Sequence, residues 1–243
     1  MNLGTAVALM VVTSLSLPAM ASNKKDNNFT LVSNTSGKSA GKASYSIKQS
    51  SKGAALQGDF QFDIDSKQQG QYNFSYKVDD TGNLQSASVQ NVTAQKTLNF
   101  EPTRKRSEIE TVTIIPGAAS MPTAMPLPKP DVLFACDGDP SAIQILMNAI
   151  QSHPHPNSLY LLMVPPGPFD PQTHFIYVKV QPSDGAKGTF NGKGVALKGY
   201  ILYFQKSQGQ AYVDDTGSLM EADLPEFGLN YIRQNFSLSA STH

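Results

Sequence analysis

The sequence has no tryptophan, a single cysteine and few charges, and each shortage removes a class of protein. Cys136 has no partner for an intrachain disulfide, so the fold must be held by its core, as a chain of this size can manage. No second cysteine lies near the start to carry a lipid anchor. Charged residues make up only 16% of the chain, and 19 basic side chains balance 19 acidic ones. Without a net field to gather phosphates or an anionic bilayer, no nucleic-acid partner is expected. The densest basic run, Arg104-Lys105-Arg106, sits beside Glu101, Glu108 and Glu110 and reads as a solvated strand or loop face.

Long apolar runs are also scarce, and the clearest lies at the beginning. Residues 1–21 read as a secretory signal peptide: Ala6-Val7-Ala8-Leu9-Met10-Val11-Val12 is the apolar stretch, Pro18 breaks it, and Ala19-Met20-Ala21 offers a cleavage site after Ala21. The stretch Met1-Asn2-Leu3-Gly4 before it carries no Lys or Arg. The apolar segment is too short and interrupted to span a bilayer, so no stable membrane anchor is expected after cleavage. The expected product is soluble, in the periplasm or secreted. Asn-x-Ser/Thr triplets at Asn28, Asn34, Asn73, Asn91 and Asn235 are what chance supplies in a chain rich in Ser, Thr and Asn.

What the chain does have is strict alternation. Tyr45 and Ile47, then Phe60, Phe62 and Ile64, then Tyr72, Phe74, Tyr76 and Val78 are each separated by single polar residues. Period two marks strands with one buried and one wet face, and the polar clusters at 50–53 and 65–70 are short enough for antiparallel hairpins. Residues 22–115 therefore form a β-rich amino-terminal half. From 116 to 130 the character changes: Pro116, Pro122, Pro126, Pro128 and Pro130 exclude helix interior and central strand, which predicts a semi-extended connector. The rest, 131–243, holds a helix and further strands.

The helix is expected over about residues 140–152, with Asp139 as N-cap and Pro140 in the first turn. Ile143, Leu146, Met147 and Ile150 fall on one face, which should pack on a sheet. Pro154 and Pro156 end it. Strand-like runs follow at 159–164, 175–180, 195–204 and 227–236.

The halves share an echo. Lys77-Val78-Asp79-Asp80-Thr81-Gly82-Asn83-Leu84 matches Tyr212-Val213-Asp214-Asp215-Thr216-Gly217-Ser218-Leu219, with Gln-Gly-Gln upstream in both. Duplication and convergent use of one hairpin both explain it. Two Asp-Thr-Gly loops in two β-rich halves also suit an aspartic peptidase, whose paired carboxylates share a proton and activate a water. On that alternative Asp80 and Asp215 are the dyad. Asp79 and Asp214, just before them, would crowd four carboxylates around the site, whereas an ordinary turn uses Asp to bond nearby amides and Gly for positive φ.

Other reactive groups form no set. Cys136, before the helix, has His153, His155 and His174 as possible bases, with His243 at the end of the chain, but reads as a small buried thiol. His153 and His155, with Asp137, Asp139 or His174, lack a recognised ligand spacing, so no metal is expected, and no cofactor. Gly188, Gly192 and Gly194 are turn or bulge glycines.

The order of helix, strand ending in Val164-Pro165, strand at 175–180, and the closing run from Tyr212 to Pro225 resembles a group of exported bacterial proteins of unknown function. Their strongly curved antiparallel sheet is similar to that of periplasmic lipoprotein carriers. The likeness covers about the last hundred residues and brings no catalytic residues. The expected fold is mainly β, an α+β arrangement: a strongly curved antiparallel sheet or half-barrel, one packed helix, and two related halves. The expected function is an envelope binding, carrier or scaffold protein rather than an enzyme. Its expected partner is an apolar or lipid-like ligand held on a concave aromatic face, or another envelope protein.

Overall fold

The structure is a computed structural model that describes residues 25–65, 68–80, 84–92, 98–104, 108–114, 121–127, 132–136, 139–152, 158–164, 174–204 and 207–239. The signal segment 1–21 lies outside them. Eight strands come first: β1 (Lys25–Ser33), β2 (Ser39–Ser50), β3 (Gly53–Asp65), β4 (Gln68–Val78), β5 (Leu84–Asn91), β6 (Leu98–Arg104), β7 (Glu108–Ile114) and β8 (Met121–Pro126). Then follow β9 (Val132–Cys136), the helix α1 (Pro140–Ser152), β10 (Ser158–Val164), β11 (His174–Phe190), β12 (Lys193–Tyr203), β13 (Gln208–Val213) and β14 (Leu219–Leu224). A 3-10 turn (Pro225–Phe227), β15 (Leu229–Arg233) and β16 (Phe236–Leu238) are the last described elements.

All the strands belong to one curved sheet, in the order β8-β7-β6-β5-β4-β3-β2-β1-β15-β14-β13-β12-β11-β10-β9, with β16 beside β11. Neighbours are antiparallel except β9 and β10. The two halves are two meanders sewn together where β1 pairs with β15. Arg233 reinforces that seam: its guanidinium donates to Asn27 Oδ1 at 2.8 Å and lies 4.9 Å over the Phe190 ring. The outermost strands β8 and β9 do not pair, so the barrel stays open. Still, the chain passes from Pro126 to Val132 in about six residues, a reach of about 20 Å, so the sheet must curl until its edges are near each other.

The alternation seen in sequence decides which way each side chain points. Tyr45, Leu56, Phe60, Tyr72, Phe74, Tyr76 and Val89 face inward and are buried, together with Leu31, Val178, Leu202, Val213 and Tyr231. Rings of Phe60, Phe62 and Tyr72 stack in parallel. Gly58 stands between Tyr45 and Phe74 in the cross-strand row, and a Cβ there would run into the Ser44 carbonyl and the Phe74 ring. This concave face does not wait for a guest. It is filled by its own aromatics and by α1.

The helix differs from expectation in how much of it is covered. One apolar face was predicted, yet Ala142, Ile145 and Ala149 are buried along with Ile143, Leu146 and Met147, as are the polar Ser141 and Gln144. A helix apolar nearly all round belongs inside a fold rather than on it, and the two polar exceptions are tolerated because they are hydrogen-bonded. The proline-rich connector also contributes more than a link. Its Met121–Pro126 is the edge strand β8, a position prolines allow because one side of an edge strand needs no N–H donors.

Candidate functional site

Two features converge on α1: the repeated aspartate turns and a buried polar cluster at the helix start. The strands that flank the two turns pair in the same way. In the first, Lys77 pairs with Ser86 and Val78 with Leu84, with a bulge between; in the second, Tyr212 pairs with Glu221 and Val213 with Leu219, with the bulge in the same place. In the second turn Asp214 Oδ1 accepts from Thr216 N (2.9 Å), Thr216 Oγ1 (2.7 Å) and Ser218 N (2.8 Å), and Gly217 takes φ +80°. That carboxylate is committed to holding its own loop.

Gln144 ties this turn to the helix. Its Nε2 donates to the Gly217 carbonyl at 2.7 Å and to Asn148 Oδ1 at 2.8 Å, while its Oε1 accepts from Leu219 N at 2.7 Å and from the Tyr45 hydroxyl at 3.3 Å. At the helix start, Asp139 accepts from Ser141 N at 2.8 Å, the expected N-cap bond. Its other oxygen accepts from the Tyr76 hydroxyl at 2.7 Å and from Ser141 Oγ at 2.5 Å. Asp139 is fully enclosed, and burial pushes its carboxyl up to about 6 despite those three donors. Burial likewise raises the Tyr45 hydroxyl, against the opposing pull of Arg233. None of Gln144, Tyr45, Tyr76 and Arg233 stood out as a site residue in the sequence. Only Gln144 left a trace, as a lone polar residue within the apolar run from Ala142 to Met147.

Beside the carboxyl-terminal half of α1 a cleft of about 370 Å³ opens to solvent. Ile47, Ala54, Leu56, Val78, Ile145 and Ala149 form its apolar wall, and Gln49, Ser50, Asp79, Asp80, Asn148 and Gln151 its polar rim. Both aspartate turns reach this region, since Asp79 and Asp80 line the cleft and Gly217 abuts Gln151.

The other candidate residues fall as follows. Asp80 and Asp215 are exposed on separate hairpins, and no hydrogen bond joins them among the described residues. The peptidase alternative, which needs a shared proton between them, gains no support. Asp79 instead accepts from Gln85 Nε2 at 2.9 Å. Cys136 ends β9 and His174 begins β11, while Asp137, His153, His155 and His243 lie outside the described residues. Among the described residues no group of His, Cys, Asp and Glu could hold a metal. Nor is any helix there long and apolar enough to cross a membrane.

No protein-family pattern and no curated protein matches the chain. A solved structure does. It is a β-barrel-like protein of the domain of unknown function DUF1849 from Brucella abortus, similar with a TM-score of 0.53 at 11% identity, over 90% of this chain and 98% of that one. At that identity the likeness is one of fold: a β-barrel-like domain, nearly end to end.

Proposed function

We propose that the protein is an exported binding protein of the bacterial envelope, not an enzyme, which holds an apolar segment of its ligand in the cleft beside α1. Its concave sheet is related in design to that of lipoprotein carriers, but its own helix and aromatics occupy the interior, which moves the place of binding to the mouth. The observation that carries this reading is the cleft itself, where Ile47, Ala54, Leu56 and Val78 meet Ile145 and Ala149 in a recess open to solvent among the described residues. Its volume is at the small end of the range of ligand pockets, and its mixed lining suits a ligand with an apolar body and a polar end.

The test is native mass spectrometry of the purified mature chain with displacement of a fluorescent fatty acid. Wild type is expected to bind the probe, and Ala54→Trp, which fills the cleft, to lose it. If wild type binds no probe and carries no lipid, the carrier role falls and only a scaffold role is left.

A further inference from the structure

The outer face of the same strands carries a second site of different chemistry. Across β2 to β5 the register places Lys48, Ala55, Lys77 and Ser86 in one row, and Ser46, Gln57, Ser75 and Ser88 in the next. These side chains, with Ile47, Leu56, Tyr76 and Ala87 of the same strands, border a cavity of about 420 Å³. Neighbouring strands are about 5 Å apart, so the backbones carrying Lys48 and Lys77 are about 10 Å apart, with Ala55 between them. Alanine leaves a gap where a longer side chain would stand. Each lysine has a flexible stem that lets both ammonium groups meet over that gap. Among the described residues neither lysine has an ion-pair or hydrogen-bond partner. Next to them lie four serine hydroxyls and one carboxamide, which both donate and accept.

We infer that this cavity binds an anionic sugar, a hexose bearing a phosphate group, with Lys48 and Lys77 on the phosphate and the serines and Gln57 on the sugar hydroxyls. Two uncompensated ammonium groups straddling a gap favour a compact multiply charged oxyanion over a neutral ligand. The four serines and Gln57 give a polyol several hydrogen-bonding partners, and the apolar part of the lining, at Ile47, Leu56 and Ala87, gives the carbon face of a sugar ring a surface to lie on. Ile47 and Leu56 border both this cavity and the cleft beside α1, but the lysines and serines that would hold the ligand alternate with them and, of the two, line only this one.

The test is calorimetric titration of the purified chain with glucose 6-phosphate, with glucose and inorganic phosphate as separate arms and circular dichroism to confirm the fold of each variant. Glucose 6-phosphate is expected to bind best and glucose least, with affinity falling as salt rises. The double variant Lys48→Gln, Lys77→Gln is expected to weaken binding about tenfold or more. Ala55→Trp, which keeps both lysines but fills the gap, is expected to abolish it. Ala54→Trp in the mouth is expected to leave it unchanged. No binding by wild type, or undiminished binding by the double variant, overturns the site. Inorganic phosphate binding as tightly as glucose 6-phosphate overturns the sugar assignment.

Discussion

At the scale of single residues, Asp139 is a buried acid whose protonation is coupled to folding. Its native carboxyl titrates near 6 against an ordinary 3.8 because it is enclosed. The native state therefore binds this proton more tightly than the unfolded chain. Its contribution to stability is greatest below about pH 3.8, declines as pH rises towards 6, and is lost above that. The difference of about two pKa units amounts to something on the order of 3 kcal/mol. Urea unfolding from pH 4 to 7.5 should show that decline in wild type. Asp139→Asn, which keeps a good N-cap and cannot ionise, should flatten it. Gln144 makes the opposite case, a neutral group whose value is its four hydrogen bonds. Gln144→Leu leaves the Gly217 carbonyl, Leu219 N and the Tyr45 hydroxyl unpaired in the interior. The expected loss is about 3 kcal/mol or more in the same assay. Neither role was legible in the sequence beyond the N-cap, since both depend on partners from distant strands.

Among elements, those with a strong local signal were readable and those stabilised by their neighbours were not. The alternation of β2, β3 and β4, the two turns between them and the span of α1 all follow from side-chain period and capping. Strand β1 buries Asn27, Phe29, Leu31 and Ser33 in alternation, but two of these four are polar, so the period is masked in the sequence and the strand rests on β2 and β15, which pair with it on both sides. The strand β8 was hidden by prolines that an edge tolerates. The repeated turn was visible as a motif, but its common register and bulge could be known only from the pairing. Comparing its Gly217 with Gly192 of the β11–β12 turn leads to a graded prediction. Gly192 and Gly217 both take positive φ, so alanine at either should cost about 1–2 kcal/mol. Open space surrounds Gly192, whereas a Cβ at Gly217 displaces Gln151, so thermal unfolding should show the larger loss for Gly217→Ala.

For the whole molecule, the compartment is the first thing to test. Fractionation of expressing bacteria with amino-terminal sequencing should find a chain beginning at Ser22 outside the cytoplasm. Recovery of the full-length chain in the cytoplasm would remove the envelope from the proposed role. Curvature and strand content were legible at this scale; the filled interior was not, because alternation says which face is buried but not what buries it. The seam between the halves also has a consequence in time. Phe29 pairs with Arg233, and β2 to β14 are all made between the two. A ribosome making this protein releases β2 to β8 early, as hairpins that form among themselves, while one edge of β1 has nothing to bond. That edge stays open until β15 emerges. Aggregation during synthesis and slow refolding should both trace to it, and truncation before Leu229 should give a sticky chain rather than a smaller barrel.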